Sequence, residues 1–197
     1  MINDLFEIDQ WIRTQGNLPP DKGGLIFQAI DSGFVFNHLI IILDSINVVE
    51  KLHLNEDTQE QLALLLRHQT GRPALYEQIV PKLKILLNRK LISGYEYAKN
   101  IDSYLLHKKG KQRYVTHYIY DEVTDTDLMK PIEDIKTVNE QRLLIGVLPI
   151  FSKIEKSLTE IDFGEERGIQ KGHKFKRLNI TEEKKLLDKY FSSNCSK

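Results

Sequence analysis

Residues 110–120 read GKQRYVTHYIY and residues 131–146 read PIEDIKTVNEQRLLIG. In residues 112–120 the period changes to two. Tyr114, Thr116, Tyr118 and Tyr120 share one side, and Val115, His117 and Ile119 the other. Aromatic and β-branched content at that period predicts a β-strand. Pro131 suits the first turn of a helix, with Glu133 and Asp134 complementing the positive helix end. Elsewhere the apolar residues recur at three- and four-residue steps, so this stretch is the strand-like exception in a helical chain.

Outward from it, the helices follow from periodicity and punctuation. Residues 2–14 space Leu5, Ile8 and Ile12 for an amphipathic helix that stops at Gly16, before a Pro- and Gly-rich turn at 17–24. Residues 34–51 place Leu39, Leu43, Ile46 and Val49 for a long apolar helix, the expected centre of the core. The run Asn55-Glu56-Asp57-Thr58 is a capping sequence, with Asp57 or Thr58 as the expected acceptor, for the next helix, which carries Leu62, Leu65 and Leu66 inward and ends near Gly71, with Arg67 and His68 in its last turn. A further helix opens at Pro73 and is expected to break or restart near Val80, because Pro81 removes a donor. Residues 95–106 form another. Residues 149–161 read as an amphipathic helix, 164–176 as a Gly-containing basic linker, and Thr181 caps a last short helix. The expected fold class is mainly α, a multi-helix orthogonal bundle with one short β element near residues 112–120. The expected division is a compact domain at 1–161, a linker at 162–180 and a helix with tail at 181–197.

The 197 residues are 41% hydrophobic and 28% charged, with 28 basic and 28 acidic side chains. A chain of this length buries roughly 70% of its unfolded surface and needs no metal or disulfide for a core. The single cysteine, Cys195, excludes an intrachain disulfide and any zinc site that needs several thiolates. Zero net charge argues against a general nucleic-acid or membrane-surface binder. The apolar run Leu39-Ile40-Ile41-Ile42-Leu43 is too short to span a bilayer. A cytoplasmic location and no membrane partner are the expectations.

Order and spacing over residues 62–150 resemble a bacterial family of uncharacterised domains. The blocks are a helix ending in Arg67-His68, a Tyr97-Ala98 pair with Asp102, a run with Gly110, Gln112, Tyr114 and Thr116, and Pro131–Asp134 followed by Val138, Asn139, Arg142 and Gly146. Val115 stands where the family tends to have glycine, His117 where it tends to have glutamine, and Ser103 where arginine is usual. The resemblance implies no assigned reaction. It concentrates attention on these positions.

The polar residues in and around these blocks have two readings. As chemistry, His68 or His117 beside Asp102 makes an oriented general base, and Arg142 can fork onto a carboxylate or phosphate. Gln112, Tyr114 and Thr116, on one strand face, would then line a binding wall with Asn139 and Arg142. As structure, the same groups form a buried hydrogen-bond network that pins the strand to the helices. His68, Asp102, His107 and His117 match no metal-ligand spacing, and no phosphate-binding glycine loop is present, so neither metal nor cofactor is expected. Two basic runs, Lys108, Lys109, Lys111 and Arg113, and Lys171, Lys174, Lys176 and Arg177 with Phe175, are candidates for single-stranded nucleic acid, which the neutral charge disfavours. Three functions follow in order: a non-enzymatic binding or protein-interaction domain with a polar-aromatic recognition surface and an unknown protein or small-molecule partner; a small hydrolase-like enzyme with a His/Asp/Arg site; and nucleic-acid binding.

Overall fold

The structure, a computed structural model, describes residues 1–14, 29–49, 52–121, 126–149, 151–154, 158–162 and 169–194. The turn expected at 17–24, the stop at Gly16 and Cys195 lie outside them. The fold is mainly α with a β element. The chain divides into two compact units, Met1–Asn100 and Ile101–Lys197, and the division falls within one helix, Gly94–Lys109. This differs from the boundaries at 161 and 180 expected from composition.

The first unit is helical. Its first helix, Ile2–Thr14, buries Leu5 and Ile12. It packs against the helix Glu56–His68 and the short π-helical segment Ala29–Val35. That segment runs straight into the helix Phe36–Val48, whose Leu39, Ile42 and Leu43 are buried. The helix Glu56–His68 is capped by Asn55, whose side chain accepts from the Thr58 amide at 2.9 Å, so the cap lies earlier than Asp57 or Thr58. Leu62, Leu65 and Leu66 face inward, as their spacing predicts. Pro73–Tyr76 is a single helical turn, and a helix restarts at Val80–Asn88 with Pro81 in its first turn, where the missing N–H costs nothing.

The second unit holds the β structure. The short element at Tyr118–Asp121 (β1) overlaps the end of the stretch that read as strand, 112–120. Residues 113–117 are not part of it, because Val115 takes a left-handed φ of 58° and breaks the two-residue alternation. Tyr114 and Val115 are consequently both buried. Gln112 makes an isolated parallel bridge to Ile132, with its N–H on the Pro131 carbonyl at 2.8 Å and its C=O taking the Glu133 N–H at 2.8 Å. Those bonds hold residues 131–133 extended, so the helix expected at Pro131 begins only at Val138 and runs to Leu144.

Four further strands join β1: Thr126–Met129 (β2), Phe151–Ile154 (β3), Thr159–Asp162 (β4) and Ile169–Arg177 (β5). All pairings are antiparallel, in the order β1-β2-β5-β3, with β4 also on β5. The helix read at 149–161 is therefore two strands, and the stretch read as a linker carries the central strand. β5 places Asp127, Leu128 and Met129 opposite Phe175, Lys174 and His173. Phe175, Met129, Val115, Ile132 and Val138 form one apolar cluster. The helix Ile180–Asn194 follows β5.

Candidate functional site

In the first unit, an ionic network is built on the first helix. Asp9 occupies the apolar stripe between Leu5 and Ile12 and is completely buried. A buried carboxylate needs donors, and cations above all. Arg13, one turn along, supplies two: its Nε donates to Asp9 Oδ1 at 3.0 Å and its Nη2 at 2.8 Å. His68, at the end of the helix Glu56–His68, places Nδ1 2.7 Å from Asp9 Oδ2. Gln10 adds a bond at 3.0 Å. Burial raises the Asp9 carboxyl, but the hydrogen bonds and charges of His68 and Arg13 outweigh it, and the group lies below its ordinary value. Asp9 is thus an ionised acceptor, so the hydrogen between it and His68 belongs to Nδ1. In the neutral ring Nε2 then carries the lone pair.

A second carboxylate extends the network. Asp31, on the π-helical segment and only 3% exposed, accepts from Arg13 Nη2 at 3.0 Å, Gln69 Nε2 at 2.9 Å and Arg72 Nη2 at 2.6 Å. Single π-helical turns are rare and recur at functional sites. The carboxylates are sealed, whereas the side chains of Arg13, His68 and Arg72 are 26%, 22% and 27% exposed. The arrangement presents an imidazole of fixed tautomer whose carboxylate is shared with the Arg13 guanidinium, a pattern suited to general acid–base chemistry.

In the second unit, of the polar residues singled out by sequence, Asp102, Gln112, Tyr114 and Arg142 are buried and Thr116, His117 and Asn139 half-buried. Asp102, fully buried on the helix Gly94–Lys109, accepts the backbone N–H groups of Arg113, Tyr114 and Thr116 at 2.7, 2.8 and 2.9 Å and the Thr116 hydroxyl at 3.0 Å. The left-handed Val115 turns these amides into a concave nest around the carboxylate. Burial pushes Asp102 above its ordinary value, and the donors offset this only in part. Gln112 is fully buried, donating to the His117 and Lys130 carbonyls and accepting from the His117 N–H, each at 3.0 Å. Arg142 donates to the Tyr114 carbonyl and the Leu148 carbonyl at 2.7 Å each. His117 meets the Ser103 hydroxyl at 3.0 Å through Nε2, but Ser103 is 6% exposed, and a nucleophile needs an approach. Asn139 is half-buried on the helix Val138–Leu144.

His68 and Asp102 therefore have separate partners in separate units. The carboxylate on His68 is Asp9. Asp9, Arg13, Asp31, Gln69 and Arg72 were missed from sequence. The usable signal was a charged residue at an apolar-stripe position, Leu5-x₃-Asp9-x₂-Ile12, with an arginine four residues on. Asp31 carries no comparable signal.

The basic turn is partly neutralised: Lys109 and Arg113 both bind Glu133, at 3.1 and 2.8 Å. Phe175, between the basic residues of β5, is buried and offers no stacking face. Among the described residues no group of three or more His, Cys, Asp or Glu is placed to hold a metal, and no helix is long and apolar enough to cross a membrane. Comparisons with protein-family models, with curated proteins and with solved structures gave no match to this chain.

Proposed function

We propose that this protein is a small hydrolase-like enzyme whose base is His68, oriented by Asp9. The observation that carries the reading is the 2.7 Å contact between a fully buried carboxylate and the Nδ1 of a partly exposed imidazole. In an ester hydrolysis at this site, Nε2 takes a proton from water as the water oxygen bonds to the electrophilic centre. The ester bond to the leaving oxygen breaks, and that oxygen takes the proton back from Nε2–H. The Asp9 carboxylate holds the ring and stabilises the imidazolium between the two transfers. The resemblance over residues 62–150 assigns no reaction, but His68 closes one of its blocks. A cytoplasmic location goes with this reading, supported by the single cysteine.

The test is hydrolysis of a panel of small carboxylic and phosphate esters across pH 5–9 by the wild type, His68→Ala and Asp9→Asn. The expected result is hydrolysis by the wild type that is reduced by about a hundredfold in either variant. Equal rates in the wild type and His68→Ala sink the reading.

A second reading, a non-enzymatic binding protein, draws on a different observation. An apolar cleft of about 460 Å³ in the first unit is lined by Ile2, Ile42, Ile46, Val49, Leu52 and Leu54 among others, and contains none of the network residues. Affinity capture from the native cell with the wild type and Ile46→Glu tests it. A partner held by both proteins removes the cleft from consideration.

A further inference from the structure

We infer that the His68 site takes a small oxyanion, a phosphate or carboxylate group of its ligand; this rests on the hydrolase reading for its role, but not for the binding itself. Three cation-forming side chains are strung on two carboxylates in the sequence Arg72–Asp31–Arg13–Asp9–His68. Asp31 bridges the two guanidiniums, with Arg13 Nη2 on Oδ1 at 3.0 Å and Arg72 Nη2 on Oδ2 at 2.6 Å. Asp9 in turn bridges Arg13 and His68. Each neighbouring pair is thus held within the span of one carboxylate.

Formally the two arginines and two aspartates cancel. Their burial does not. Asp9 and Asp31 side chains are 0% and 4% exposed, while the three basic side chains keep between a fifth and a third of their surface. Negative charge is sealed inside, and the basic side chains are the part of the network that reaches solvent. Guanidinium groups offer donors and no acceptor, and an imidazole gains a second donor on protonation. A surface of that kind is matched by an acceptor-rich, negatively charged group. Nor are the carboxylates free to compete: Asp31 already takes three donors and Asp9 four. An anion held there binds to the same network as His68, the base of the hydrolase reading.

The test uses the full chain, labelled with ¹⁵N, titrated with inorganic phosphate and separately with acetate at constant ionic strength, with chloride as the control. Saturable shifts of the Arg72 side-chain N–H and the His68 ring signals are expected, with phosphate alone or acetate alone naming the class. In Arg72→Gln the affinity should fall about tenfold, and Arg72→Lys, which keeps the charge but loses the fork, should fall less. No saturable shift beyond chloride in the folded wild type overturns the inference, even if His68-dependent ester hydrolysis is found. Saturable binding without any effect of His68→Ala on hydrolysis keeps the oxyanion site and removes the hydrolase reading instead.

Discussion

Asp9 and Asp102 are both fully buried carboxylates, one in each unit, and they are satisfied in opposite ways. Asp9 is held by the side chains of Arg13, His68 and Gln10. Asp102 is held by three backbone N–H groups and one hydroxyl, all neutral. Cationic partners pull Asp9 below its ordinary value, while neutral ones leave burial in charge at Asp102 and the group lies above it. The difference separates the proposed site from a scaffold. The partners of Asp9 are side chains that reach solvent and have chemistry of their own. The partners of Asp102 are fixed points of the main chain, and what they gain from it is position.

The largest effect that tests this contrast is on stability. Asp102→Ala removes the acceptor for the Arg113, Tyr114 and Thr116 amides together, and each buried donor left alone costs about 1–3 kcal/mol. A loss of about 3 kcal/mol or more in urea unfolding is expected, with the Val115 cluster loosened in the same transition. A variant of near wild-type stability would break the comparison, because Asp102 would then be free to serve as a functional group.

How much of this was legible in the sequence follows from where each signal lives. The helices of the first unit came through because burial of Leu39, Leu43, Leu62, Leu65 and Leu66 imposes a period that local sequence records. β5 did not. It is paired on both edges, so its stability comes from main-chain bonds to distant strands, and its own residues, Gln170 to Lys176, show no apolar alternation. The strand expected at 112–120 shrank to Tyr118–Asp121 because a long-range carboxylate, eleven or more residues upstream, takes the amides a ladder would have used. His68 was legible as a candidate and its partner was not, since Asp9 lies 59 residues away and only folding brings the two together.

The two carboxylates also set opposite pH dependences, a smaller effect than the deletion. Asp9 has a folded value below its unfolded one, so its contribution is complete above about pH 4 and is lost as pH falls through the folded value. Asp102 has a folded value above its unfolded one. Its favourable contribution is complete below about pH 4 and is lost as pH rises through the folded value. Urea unfolding between pH 2.5 and 7 on Asp9→Asn and Asp102→Asn reads each one out. Relative to wild type, Asp9→Asn should lose part of the acid-side fall in stability. Asp102→Asn should lose a decline that runs the other way, with increasing pH. Slopes of the same sign would mean that charge, and not the kind of partner, governs both sites.

The smallest effect sharpens what the scaffold side of the comparison requires of the chain. Val115 holds a φ of 58°, a conformation that costs a side-chain-bearing residue about 1–2 kcal/mol and a β-branched one no less. Glycine adopts that φ without strain. Yet Val115 is fully buried in the cluster with Met129, Ile132, Val138 and Phe175, and its side chain contributes about 2 kcal/mol by that burial. Val115→Gly exchanges one term for the other, and glycine's extra unfolded-state freedom subtracts a little more. The expected change in unfolding free energy is within about 1 kcal/mol, with the Thr116 amide still protected from hydrogen exchange by Asp102. A loss of several kcal/mol would mean that the turn is held by packing of the valine. A near-neutral result with the amide still protected would mean that the carboxylate sets the turn and the valine only fills the space beneath it.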